Sequence, residues 1–376
     1  MSNKIEEKYI ACMVLHAVGD TVGYKNSDWE FQRGSFENIN KLYEFIDLGG
    51  VNHITFKNWR VSDDTIMHIQ TADALLQNIN TINSFGTSLK DNFLQALKQF
   101  DKEGLTIRQP GITTMKSLNL LKKGATWEKG IPYDFYFGGS GASMRSLCIG
   151  LAFHGEKNRD KLMQFSIESG RMTNNSAIGY LGGFASALFT ALAIEKKPIN
   201  EWPFILIDLF KSGKVQKYIH TAGREIEEFE RDHHIFVDKW YQYVESKFDN
   251  KKNPIIRKID KNLVYRNKYY ADTFGLKETT TTSKGTIIES TPFIGSGGDD
   301  SVIIAYDCLL DSEKNWEKLV IYSMLHNGDT DTTGCIAAGL YGALYGFEDV
   351  PQNFLECLEY KKEITDLGKK LYKKFH

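Results

Sequence analysis

Apolar residues along this chain recur at steps of three and four far more often than they alternate. Ile10, Met13, Val14, Ala17 and Val18 form one such stripe, and Ile66, Ile69, Ala72, Leu75 and Leu76 another; this is the spacing of side chains that share one face of an α-helix. The same pattern predicts a helix over Ala177 to Glu195 and another over Gly334 to Gly346, both with small residues at steps of three to four. In the last, Gly334, Ala338, Gly342 and Gly346 line one face. That face lets a neighbouring helix approach closely, against a helix-propensity cost of about 1 kcal/mol per glycine. The fold is therefore expected to be mostly α, with these as interior helices.

Breaks in the pattern are few. Only seven prolines occur in 376 residues, and the Pro/Gly/Ser-rich linkers that usually separate domains are missing, which predicts one domain over residues 1–376. Two stretches interrupt the helical pattern: the basic, polar Lys251 to Asn267, read as an insertion, and the Ser/Thr-rich Thr279 to Thr291, read as an exposed loop. The longest weakly polar run is taken as Gly334 to Phe347, shorter than the roughly 20 residues that span a bilayer.

Composition adds mainly exclusions. With 41% hydrophobic and 25% charged residues and a formal net charge of -2, the chain has neither a basic field for nucleic acid nor an acidic tail. Its five cysteines are scattered and form no C-x-x-C pair, so neither a disulfide framework nor a zinc site is indicated. Met1 to Tyr9 lacks the apolar stretch of a secretory signal. A cytoplasmic monomer, bound to neither membrane nor nucleic acid, is expected.

The chemistry concentrates in two aspartate clusters. Ser62-Asp63-Asp64-Thr65 opens the run to Leu76, and Asp329-Thr330-Asp331-Thr332 opens the run to Gly346. Helix capping accounts for part of this, because Ser and Asp are favoured N-caps and acidic residues suit the first turn. One cap needs one acceptor, however, and each cluster supplies two carboxylates plus hydroxyls. Adjacent carboxylates repel unless a cation neutralises them, and hard oxygen ligands suit Mg²⁺ or Mn²⁺. If the two helix starts converge, they could hold two divalent ions about 3.5 to 4 Å apart.

Other signals are weaker. His68 and His326 lie near the clusters, but the nine histidines show no H-E-x-x-H spacing, and no G-x-S-x-G serine motif occurs. The loop Gly138-Gly139-Ser140-Gly141-Ala142-Ser143 precedes an expected helix from Met144 to Phe153, a junction whose backbone N–H groups can cradle phosphate. A second glycine-rich stretch, Gly295-Ser296-Gly297-Gly298, runs into Asp299 and Asp300 and reads equally as a ligand-facing loop or a turn.

Taken together, the segments resemble the ADP-ribosylglycohydrolase family, and within it the ADP-ribosylarginine hydrolases. The blocks that carry the likeness are Ala17 to Tyr24, Trp59 to Thr65 with Met67-His68, Gly138 to Arg145, Ile167 to Thr173, Gly179 to Gly182, Ile304 to Asp307, and His326 to Thr332. They span nearly the whole chain, with Ile205 to Ser290 the least alike. The resemblance implies an all-α, compact orthogonal multi-helix fold with a binuclear magnesium centre between helix N-termini. Its ligands would map to Ser62, Asp63, Asp64, Asp329, Asp331 and Thr332. It also implies that Gly138 to Ser143 meets the diphosphate and that Glu30 lies on a mobile segment near the site.

The implied reaction is hydrolysis of the N-glycosidic bond between ADP-ribose and arginine on modified proteins, releasing ADP-ribose. Catalysis falls to Asp63, Asp64, Asp331 and Glu30, with Asp63 or Asp331 taking the proton from the attacking water. Asn174 stands where family members commonly carry His and is assigned to substrate binding. Asn175-Ser176-Ala177 replaces a His/Pro-containing stretch, Asn327 a usual glycine, and Asp299 a usual His. These departures leave the scissile linkage open, with serine-linked ADP-ribose, poly(ADP-ribose), O-acetyl-ADP-ribose or a non-catalytic binding role as alternatives.

Overall fold

The structure is a computed structural model and describes residues 4–32, 37–77, 79–275, 279–281, 287–289 and 294–376. Its described residues form eighteen α-helices and two three-residue strands, so the fold is all-α as expected. The strands, Thr279–Thr281 and Ile287–Glu289, pair antiparallel with Thr280 opposite Ile288. They fall in the stretch read as an exposed loop. Their β-branched Thr and Ile residues favour extended backbone, and the remainder of that stretch lies outside the described residues.

At the centre runs the helix Ala177–Ile194, all eighteen residues of which are buried. It is also the one described helix long and apolar enough to cross a membrane, so it, rather than Gly334 to Phe347, is the chain's longest apolar run. Here it is a core helix. Glycines let its neighbours close in: a Cβ on Gly150 would stand 2.2 Å from the Ala187 carbonyl oxygen, and one on Gly170 would stand 2.6 Å from the Tyr180 Cβ.

The N-terminal helix Lys4–Tyr24 lies along the helix Thr330–Tyr345. The glycine face predicted on the second helix is real, and the first answers it in kind. A Cβ on Gly334 would come 2.7 Å from Gly19 O, and one on Gly342 would come 2.5 Å from Ala11 C; on Gly19 it would meet Gly334 O at 2.1 Å, and on Gly23 Thr330 O at 2.1 Å. Backbone therefore packs on backbone over the length of the pair. Gly346 serves differently, ending its helix at φ +70°, a conformation that favours glycine.

One predicted boundary shifts, and one predicted insertion is tied into the core. The helix expected from Met144 begins at Leu147; before it Ser140–Ala142 makes a 3₁₀ turn, and Ser146 Oγ donates to Ala142 O at 2.7 Å, satisfying the backbone locally. The Lys251 to Asn267 segment is not a free insertion. Asn262 caps the helix Leu263–Thr273, and Arg266 reaches Asp307 and Asp311, both at 2.7 Å.

Candidate metal site

Both aspartate clusters do cap helices. Ser62, with extended backbone, accepts the Asp64 N–H on Oγ at 3.1 Å and starts the helix Asp63–Leu76. Asp329 accepts the Thr332 N–H at 3.4 Å and starts Thr330–Tyr345. Capping engages one oxygen of each, and Asp331 Oδ1 shares the Thr332 N–H at 2.9 Å, which leaves several carboxylate oxygens of Asp63, Asp64, Asp329 and Asp331 over. The two starts converge: Thr332 Oγ1 donates to Asp64 Oδ2 at 3.0 Å across 268 residues of sequence.

Asp20 organises the first turn, and sequence reasoning missed it. Fully buried in the N-terminal helix, its carboxylate accepts the Ser62 N–H at 3.0 and 3.1 Å, the Thr65 N–H at 3.1 Å and the Thr65 hydroxyl at 2.5 Å. A single acidic residue inside a buried helix was the available signal, since such a charge needs partners to stay there.

Glu30 arrives by a different route. Lys25, Asn26 and Ser27 all have positive φ (39°, 55° and 72°), which turns the chain sharply after the N-terminal helix. The turn is held by Asn26 on Asn58 O at 3.1 Å, by Arg60 N–H on Asn26 at 2.9 Å, and by Trp29 Nε1 on Glu44 at 2.7 Å. The Phe31 N–H then bonds Gly328 O at 2.8 Å. Carboxylate oxygens of Glu30, Asp329 and Asp331 thereby lie within 4.8 Å of one another.

Electrostatically this is a concentration of like charge. Burial first, then Asp331, Asp63 and Asp20, push the Glu30 carboxyl up to about 10. Burial and Asp331 push Asp20 up to about 7 and Asp63, Asp64 and Asp329 well above the carboxylate range. Among the described residues no ion pair joins a basic side chain to Glu30, Asp63, Asp64, Asp329 or Asp331. Oxygen donors without a counter-charge are the donor set of a hard divalent cation. Glu30 joins Asp63, Asp64, Asp329, Asp331 and Thr332 as a side chain able to hold one. The histidines stay out, as expected. Burial holds His16 down to about 4 and His326 down to about 3, and His68 Nε2 accepts the Cys148 N–H at 3.2 Å.

These carboxylates floor a cleft of about 250 Å³. One wall is the first glycine loop, where Gly139, Ser140 and Gly141 face the cleft while Gly138, Ala142 and Ser143 do not; Ser62 is also behind the lining. The second glycine stretch braces this wall. Ser140 N–H bonds Ser296 O at 2.8 Å, Gly298 N–H bonds Gly138 O at 2.8 Å, and Asp300 accepts the Gly295 and Gly297 N–H groups at 2.8 and 2.9 Å. With Ser296 in the lining, that stretch is both a turn and a cleft wall. Arg145, unassigned from sequence, donates to Gly141 O and, at 2.7 Å, to Ser169 O.

Asn174 lines the cleft and donates to Gly139 O at 3.2 Å, its own oxygen held by Thr173 Oγ1 at 2.7 Å. Asp299 is turned away into an ion pair with Lys239 at 2.7 Å. Ser140 Oγ, 3.4 Å from Asp329 Oδ2, links the glycine wall to the acidic floor. Gln109 and Gly111 to Thr114 complete the rim. A cleft with an acidic, cation-competent floor and a backbone-rich wall suits a ligand bearing sugar hydroxyls beside a diphosphate.

Comparison with known proteins gives the same direction. The sequence model of ADP-ribosylglycohydrolase matches residues 1–376. The chain is 40% identical over 368 residues to a protein of Acanthamoeba polyphaga mimivirus, L444, assigned by name to the ADP-ribosyl glycohydrolases, covering 94% of this chain and 68% of that one. It is 36% identical over 381 residues to ADP-ribosylhydrolase ARH1 of Dictyostelium discoideum, covering 97% and 94%. A solved structure titled "ADP-ribosylglycohydrolase-related protein complex" superposes with a TM-score of 0.58 at 15% identity, covering 99% of each chain, a likeness of fold.

Proposed function

The chain belongs to the ADP-ribosylglycohydrolase family, and from that premise we propose that it cleaves the N-glycosidic bond between ADP-ribose and arginine in a magnesium-dependent reaction. Hydrolysis of an ADP-ribosyl bond is what the family and the ARH1 relative support; the linkage and the metal are our reading. The observation that carries it is the convergence of the two clusters, bridged by Thr332 and Asp64 at 3.0 Å, beneath a glycine wall.

Glu30, Asp63, Asp64, Asp329, Asp331 and Thr332 would hold the cation. When bound there, a divalent ion supplies positive charge that acidifies water and orients sugar hydroxyls. The backbone of Gly139 to Gly141 receives the diphosphate, and Asn174 keeps that backbone in place. Asp63 or Asp331 accepts the proton of the attacking water on a carboxylate oxygen. The transition state carries positive charge at the anomeric carbon, which the acidic floor favours.

The test is release of ADP-ribose from ADP-ribosyl-arginine with Mg²⁺ and with EDTA. Equal rates would remove the metal from the reading. Release from serine-linked conjugates in preference to arginine-linked ones would retain the enzyme and change its substrate.

A further inference from the structure

Residue Val61, one place before the Ser62 cap, is held by both of its backbone groups. Its N–H donates to Glu359 Oε2 at 2.9 Å, and its carbonyl accepts from Arg108 Nη1 at 2.7 Å. The two holders are themselves locked together. The Arg108 fork grips Glu359 at 2.7 and 2.9 Å, while Arg108 Nε is fixed on Glu103 at 2.7 Å. Arg108 is 3% exposed and the Glu359 side chain 28%, and the bidentate geometry of the pair adds directional specificity to its charge.

One guanidinium–carboxylate pair thus fixes the segment that enters the aspartate cluster. The backbone leaving Arg108 turns through Gln109 at φ 49° to Gly111, which lines the same cleft as Asp63. Neither Arg108 nor Glu359 lines the cleft.

We infer that Arg108 and Glu359 are positioning residues of the cation site, aiming Asp63 and Asp64 at Asp329 and Asp331 through Val61. The inference rests on the divalent-cation reading proposed above. Outer partners of metal ligands typically change metal affinity ten- to a hundredfold when altered, and that is the loss expected here.

The experiment is Mn²⁺ binding to the whole chain, read by paramagnetic resonance of the free ion, beside melting in EDTA. Glu359→Gln removes the charge that the fork grips, and Arg108→Lys keeps charge but cannot make two parallel bonds. Glu195→Gln is the matched control, because Glu195 likewise accepts a backbone N–H, from Gly155 at 2.6 Å, and pairs with Arg159 at 2.9 Å outside the cleft lining. Expected are Mn²⁺ affinities ten- to a hundredfold weaker in Glu359→Gln and Arg108→Lys, with Glu195→Gln equal to wild type whatever its melting temperature. Should Glu359→Gln fail to fold, Arg108→Lys decides. Wild-type affinity in the clamp variants, or an equal loss in the control, overturns the clamp. A wild-type chain that takes up no Mn²⁺ overturns the cation reading itself.

Discussion

Replacing Gly23 by Ala would test whether the paired helices set the geometry of the acidic floor. The new methyl carbon would lie 2.1 Å from Thr330 O and 2.5 Å from Asp331 N, about 1.3 Å short of an ordinary carbon–oxygen contact. Both obstacles are backbone, so no side chain can rotate away, and the helices must part by about 1 Å. Alanine returns about 1 kcal/mol of helix propensity, while overpacking costs about 1–3 kcal/mol. The net loss of stability is therefore modest, about 0–2 kcal/mol. The effect on turnover is larger, because the parting occurs beside Asp331, and a 1 Å misplacement can cost about a hundredfold in rate. Gly342→Ala provides the control: its methyl would meet Ala11 C at 2.5 Å in the same interface, three helical turns from the site. Thermal melts and Mg²⁺-supported ADP-ribose release are the assays. Both variants should melt slightly lower, with only Gly23→Ala losing about two orders of magnitude in kcat. Equal activity in the two variants would refute the argument.

Three further outcomes are expected. Asp20→Asn puts an amide N–H₂ against the donors of Ser62 or Thr65 and should lower stability by about 1–3 kcal/mol, with Mn²⁺ affinity falling too; a variant that melts and binds as wild type would show the carboxylate to be dispensable. Asn174→Ala removes the donor to Gly139 O and should raise KM about tenfold with a smaller change in kcat, the pattern of lost ground-state binding; an effect on kcat alone would count against it. Burial depresses His16 to about 4, so its contribution to stability is complete above the unfolded value near 6.5 and is lost as pH falls through 4. His16→Gln should therefore flatten the decline in melting temperature between pH 6.5 and 4, and parallel profiles would contradict this.

Features written in local sequence were readable. Ser62 and Asp329 cap helices because their residue types do so, and the carboxylates beyond what capping needs face one another. The glycine steps from Gly334 to Gly342 announced a close helix contact. What escaped depends on partners far away in the chain. Asp20 looks like one polar residue in a helix, and only the Ser62 to Thr65 turn, 42 to 45 residues on, gives it a task. The pairing of the two glycine loops joins Gly139 to Gly297, and no local pattern encodes it. Glu30 could be named through family likeness, but its place beside Asp329 and Asp331 follows from a turn at Lys25, Asn26 and Ser27, where Asn and Ser favour a turn without encoding where it delivers the chain. The helix start after the first glycine loop moved from Met144 to Leu147 because side-chain-to-backbone bonds such as Ser146 to Ala142 compete with helical ones.

The central helix Ala177–Ile194 carries a consequence for how the protein comes to exist. While the chain is being made, these eighteen uncharged, mostly apolar residues have the length and composition of a membrane span. Part of their cover, Leu147–Ala152 and Arg159–Arg171, precedes them, but the helices Ile226–Lys247, Ser301–Ser312 and Thr330–Tyr345 that also pack on them come later. For more than a hundred residues of synthesis the segment is incompletely wrapped, an aggregation hazard of the kind that long-range cores create. The aspartates of Thr330–Tyr345 arrive on one of the last helices to seal that core, so on this order completion of the acidic floor and concealment of the apolar segment are nearly the same event.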